Sequence, residues 1–76
     1  MSLEREKLLE ALAELEHEQW MHWAKAVASE VSDERRKRWE RYFVPYAELP
    51  EDVKGADREW ARRVLKVVNR HVEREC

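Results

Sequence analysis

Apolar positions recur through the first third of the chain at helical spacing. At about 100° per residue, Leu9, Leu12, Ala13, Trp20, Trp23, Ala24 and Val27 fall within a sector of roughly 120°, wide enough for a core-facing stripe. Glu4, Lys7, Glu14, Glu18 and Lys25 lie mostly elsewhere. The pattern predicts one long helix from about Leu3 to Ala28. The segment Val31-Ser32-Asp33-Glu34 then closes one helix and opens another, because Ser32 suits an N-cap and the two acids suit a first turn. The second helix is expected over about Asp33 to Phe43, with Trp39, Tyr42 and Phe43 gathered on one side. Its other positions are mostly basic: Arg35, Arg36, Lys37, Arg38 and Arg41.

Proline punctuates the stretch from Val44 to Gly55. Pro45 disfavours the helical conformation at Val44, so the second helix should end there. Pro50 fits the first position of a short helical turn through Lys54, which Gly55 is suited to end. Asp57 would then cap a last helix from about Ala56 to Glu73, with Trp60, Val64, Val67, Val68, His71 and Val72 as its apolar face. The expected architecture is all-α: one compact three-helix domain over residues 1–76, with a proline-containing loop and a short helical turn between helices two and three.

Charge and composition narrow the partners. With 15 basic and 17 acidic residues the net charge is -2, which argues against a domain that coats nucleic acid. No apolar run approaches the roughly 20 residues of a membrane span, and the charged N-terminus does not read as a signal peptide. Cys76 is the only cysteine, so no internal disulfide can form, and a free thiol in the reducing cytoplasm is expected. Four tryptophans are many for this length, and a small domain needs such side chains to bury enough area.

The segment His17-Glu18-Gln19-Trp20-Met21-His22-Trp23 raises the question of a metal site. Two helical ligands must be three or four residues apart to face one ion, and His17 and His22 are five apart, about 140° around the helix. Ser2, Ser29 and Ser32 are the only serines, and Gly55 the only glycine, so no oxyanion hole or phosphate-cradling loop is built in. No catalytic residue, metal ligand or cofactor is expected. What remains is aromatics interleaved with arginines, the chemistry of a nucleotide site: a stacked base gains roughly 1–3 kcal/mol, and arginine grips phosphate bidentately. Each such residue also has a packing role open to it. Trp39 is one turn from Phe43, Trp20 lies near the stripe centre, and Tyr46 either stacks on a ligand or pins its loop. Glu16 falls inside the apolar stripe and needs either an arginine partner from another helix, such as Arg58, or a place facing a ligand cavity.

One combination is more specific: His17 and Trp20 on the first helix, then Pro45, Tyr46, Leu49, Pro50, Lys54, Asp57 and Arg58 in order. It resembles the ryanodine-receptor repeat, or RyR domain, which carries a His and a Trp three residues apart, a Pro-Tyr-x-x-Leu-Pro loop, a lysine and an Asp-Arg pair. The likeness covers roughly Leu9 to Val68. It departs in the middle, where the helical stretch Trp23 to Phe43 replaces the family's Gly-Trp-x-Tyr-Gly loop, Arg-Asp pair and His-Pro-x-Leu segment. The resemblance implies a small helical, non-enzymatic module that binds a nucleotide or nucleotide-derived signal. Stand-alone bacterial and phage members suggest sequestration of that signal as a use. On this view the ligand-binding candidates are His17, Trp20, Trp23, Arg35, Arg38, Trp39, Tyr42, Tyr46, Lys54 and Arg58, with Lys54 and Arg58 aimed at phosphate. A homo-oligomer would offer a better cavity than so small a subunit. The other reading of the same residues is a protein-interaction or oligomerisation surface, since Trp, Tyr and Arg also dominate interface hot spots.

Overall fold

The computed structural model describes residues 2–75, with side-chain surroundings for residues 3–72. Cys76, and with it the expected terminal thiol, lies outside the described residues. Three α-helices carry the fold: α1 over Ser2–Val27, α2 over Asp33–Glu40 and α3 over Glu51–Glu75, with no strand among the described residues. The all-α, three-helix architecture is the expected one. At 1.5 Å per residue α1 and α3 are each about 38 Å long, and α3 packs along α1 in a molecule measuring 50 × 23 × 14 Å. No helix among the described residues is long and apolar enough to cross a membrane.

Local chemistry sets most boundaries. After a 3-10 turn over Ala28–Glu30, the Ser32 hydroxyl accepts from the Arg35 amide at 3.2 Å and caps α2 as expected. The helix stops at Glu40 rather than Phe43. The Tyr42 and Phe43 amides donate three residues back, to the carbonyls of Trp39 and Glu40, and this tightened turn closes the helix ahead of Pro45.

The approach to α3 differs from the expectation. The short helical turn lies earlier, over Tyr46–Glu48, held by Glu48 and Leu49 amides on the carbonyls of Pro45 and Tyr46. The Pro50 carbonyl then accepts from both Val53 and Lys54, and α3 runs unbroken through Gly55. Gly55 therefore ends nothing, and Asp57 lies inside the helix instead of capping it. Glycine in a helix costs roughly 0.5–1 kcal/mol, but Val53 and Ala61 on either side both pack into the core, and that burial decides the conformation.

The core is small. Ala13, Tyr46, Leu49 and Ala61 are buried together, with Leu9, Leu12, Tyr42, Val44 and Val53 packed against them. Alanine at the α1–α3 contact lets the helices approach closely and leaves larger side chains on the flanks. Trp23, placed by periodicity in the α1 stripe, is thus 54% exposed. The expected apolar face of α3 is likewise uncovered: Trp60, Val64, Val67, Val68 and Val72 are 36–54% exposed, and His71 is exposed too. The eight residues of α2 and the turn after them reach only one end of the α1–α3 pair, where Trp39 and Tyr42 meet Trp20 edge-on.

A polar node fastens loop to helices. Arg58 donates to both carboxylate oxygens of Glu10, at 2.8 and 2.6 Å, and to Glu51 at 2.9 Å, while the Tyr46 hydroxyl donates to Glu10 at 3.0 Å. The partner of Arg58 is therefore Glu10 and not Glu16. The Arg58 hydrogen bonds hold the Glu10 carboxyl down to about 2, against the opposing effect of burial. Burial first, and the Glu10 carboxylate second, push the Tyr46 phenol up to about 12.

Because the folded Glu10 pKa lies below its ordinary 4.5, its contribution is present above that value and is lost as pH falls towards about 2. A thermal midpoint followed against pH should fall through that window. Glu10→Gln should flatten this acid limb. At pH 7 it should cost about 1 kcal/mol, since solvent screens a carboxylate that is 43% exposed.

Candidate functional site

Helix α1 brings His17 and Trp20 to one side, three residues apart, with their rings stacked at 5.9 Å and 19°. The end of α2 and the turn after it surround Trp20 with aromatic edges: Trp39 at 6.0 Å, Tyr42 at 6.5 Å and Phe43 at 5.6 Å between centroids. The first two turns of α3 supply the opposite wall. Together His17, Trp20, Tyr42, Val53, Ala56 and Asp57 line a cavity of about 180 Å³.

The polar atoms of this cavity are arranged unusually. His17 is only 2% exposed. Its Nε2 lies 2.7 Å from the Val44 carbonyl oxygen; a carbonyl only accepts, so Nε2 carries the hydrogen and donates. In the neutral ring Nδ1 is then a lone pair, and it lies 3.8 Å from Asp57 Oδ2. That oxygen is buried and has no hydrogen-bond partner. Burial pushes the Asp57 carboxyl up, the His17 charge opposes this, and Glu16 adds to it. With the imidazole neutral, two acceptors converge with no donor between them. A proton, or an N–H group from outside the chain, is the complement they lack.

The other candidate residues lie elsewhere. Trp23 meets Trp39 at 5.6 Å and lines a separate open groove with Glu16, Gln19, Trp20 and Trp60. Arg35 and Arg38 are exposed on α2 and line neither space. Tyr46 is buried and pins its loop through its hydroxyl. Lys54 sits over the Tyr46 ring at 5.5 Å and pairs with Glu51 at 3.7 Å, and Arg58 is engaged by Glu10 and Glu51. Among the described residues no three His, Cys, Asp or Glu side chains group as metal ligands.

Sequence reasoning missed Val53, Ala56 and Asp57. A signal was present, since Asp57 is four residues from Val53 and four from Ala61, an acid in the middle of an otherwise apolar helical row. Comparison with protein-family models, with curated proteins and with solved structures returns no match.

Since the folded Asp57 pKa is raised, its favourable contribution belongs to low pH and is lost as pH rises through that value. Asp57→Asn removes the charge and supplies an N–H towards Nδ1. The variant should be more stable than the parent by about 1 kcal/mol at pH 7, roughly 5 °C in midpoint. The gap should shrink towards pH 4, as paired thermal melts would read directly.

Proposed function

We propose that this chain is a non-enzymatic ligand-binding domain whose pocket takes the amino-bearing edge of a nucleobase-like ring. The observation that carries this reading is the facing pair of acceptors, His17 Nδ1 and Asp57 Oδ2, on two residues that line an aromatic cavity. An exocyclic amino group carries two N–H donors, one for each member of such a pair. Trp20 and Tyr42 line the same cavity, and their rings are the groups on which a base would pack. The cavity, about 180 Å³, falls below the ~300–1,000 Å³ of pockets for whole drug-sized ligands. It has room for a base and leaves the sugar and phosphate towards solvent.

The phosphate half of the expectation changes accordingly. Lys54 and Arg58 are occupied by Glu10 and Glu51, so recognition rests on the base. The resemblance to the RyR repeat leads to the same ligand class and suggests sequestration of a nucleotide-derived signal in the cytoplasm as the use. A second reading, a protein-interaction module, draws on the exposed apolar flanks of α1 and α3.

The test is thermal unfolding with nucleosides and nucleotides of adenine, cytosine, guanine and uracil, cyclic forms included. At 100 times the dissociation constant a ligand should add about 2.7 kcal/mol, a midpoint shift of roughly 10 °C or more. Amino-bearing bases should shift the midpoint, uridine should not, phosphate should add little, and Asp57→Asn should abolish the effect. No shift with any amino-bearing base, or an equal one with uridine, would sink the proposal.

A further inference from the structure

We infer that the pocket exchanges a proton for its ligand: in the free chain the His17–Asp57 pair takes up one proton at mildly acidic pH, and it releases that proton to solvent when an amino-bearing base enters. The inference rests on the base-binding reading and adds a pH control to it. His17 Nε2 donates its hydrogen to the Val44 carbonyl at 2.7 Å. Moving that hydrogen to Nδ1 would set two lone pairs against each other at this distance, so the neutral ring is locked in one tautomer. Nδ1 then has a single lone pair. It holds a proton or accepts an N–H from a ligand, and never both.

Asp57 Oδ2 is the other half of the device. It is buried without a hydrogen-bond partner and lies 3.8 Å from Nδ1, too far for a bond but within reach of one once a proton stands between them. Closing the gap to hydrogen-bond length takes roughly 0.6–1 Å, shared between α1 with His17 and α3 with Asp57. Both residues line the cavity, so proton uptake draws two of its walls together. An entering amino group brings one N–H for each acceptor and takes the proton's place. An asparagine at position 57 would bond Nδ1 at any pH, whereas the acid does so only after a proton arrives.

The surrounding charges favour uptake. Burial raises the Asp57 carboxyl, the His17 charge opposes it, and Glu16 on α1 adds to it. On α3, Lys54 is paired with Glu51, and Arg58 with Glu10 and Glu51. The turn after α2 contributes Tyr42 and the loop contributes the Val44 carbonyl, neither of which brings a positive charge.

Nitrogen-15 spectra of the imidazole rings, recorded on the ligand-free chain from about pH 8 to about pH 5, test the uptake. Nδ1 of His17 should gain a hydrogen over this range while Nε2 keeps its own; His22 and His71, both exposed, serve as references. Asp57→Asn and Glu16→Gln should each move the His17 change to lower pH. Glu16 lies outside the cavity lining, so its variant decides if the other fails to fold. Calorimetry with adenosine, cytidine and guanosine, in buffers of different ionisation enthalpy, tests the exchange. Above the pH of uptake, binding should release no proton and affinity should be level. Below it, binding should release close to one proton, and the dissociation constant should rise about tenfold for each pH unit. A Nδ1 that stays bare to about pH 5, or an affinity that is level or improves as Nδ1 gains its hydrogen, overturns the inference and leaves the ligand reading standing. A chain whose Nδ1 titrates as expected but which binds none of the three nucleosides at any pH removes the ligand reading, and the exchange with it.

Discussion

The fold depends on one guanidinium. Arg58 reaches across from α3 to Glu10 on α1, back to Glu51 in the first turn of its own helix, and through Glu10 to the Tyr46 hydroxyl in the loop. Ion pairs as exposed as Glu10 and Glu51 contribute little net stability, so the node matters mainly for position. It fixes where the loop crosses α1, and that crossing seats Tyr46 and Leu49 in the core beside Ala13 and Ala61. A core in which two of the four buried members are alanines has little side-chain volume with which to set register unaided. The directional bonds of Arg58 supply what packing leaves open.

The pocket follows from the same crossing. With the loop pinned at Tyr46, the Val44 carbonyl lies beside His17 and takes its Nε2 hydrogen. The imidazole is thereby turned so that its second nitrogen faces Asp57. Each step satisfies a group except the last, which leaves a buried oxygen unbonded. A buried acceptor without a donor costs about 1–3 kcal/mol, a large fraction of what a domain of this size can spare. Packing does not require an acid there, as an asparagine has nearly the same shape. That local cost is what motivates the proposal of a donor-bearing ligand.

Local signals made much of this legible. Ser32 named the start of α2, and Pro45 the loop, because capping and the pre-proline clash act within a few residues. Gly55 and Asp57 misled for the same reason: both are local punctuation, and contacts of α3 with α1 overrode them. Nothing in the sequence chose Glu10 over Glu16 for Arg58, a pairing across 48 positions settled by which turn of α1 lies opposite. His17, Trp20 and Tyr42 stand out as candidates because aromatic and imidazole groups announce themselves, while Asp57 reads as a helix cap and turns out to line the pocket. Of the residues that carry the resemblance to the RyR repeat, Tyr46, Leu49 and Arg58 build the loop junction, and His17, Trp20 and Asp57 line the pocket.

Periodicity carries a deeper limit. It shows which flank of a helix is apolar, but not whether anything lies against it. Trp60, Val64 and Val67 sit on the apolar side of α3, as the spacing says, and remain exposed. The cause is the length of α2: at eight residues it covers the aromatic end of the α1–α3 groove, and no other element among the described residues continues it along the groove. The close alanine contact sharpens the effect, because it moves the bulk of the apolar surface from between the helices to their sides. A hairpin of two long helices cannot enclose its own flanks, whatever residues fill them. Leucine, valine and tryptophan on such flanks stay in contact with solvent however regular their spacing.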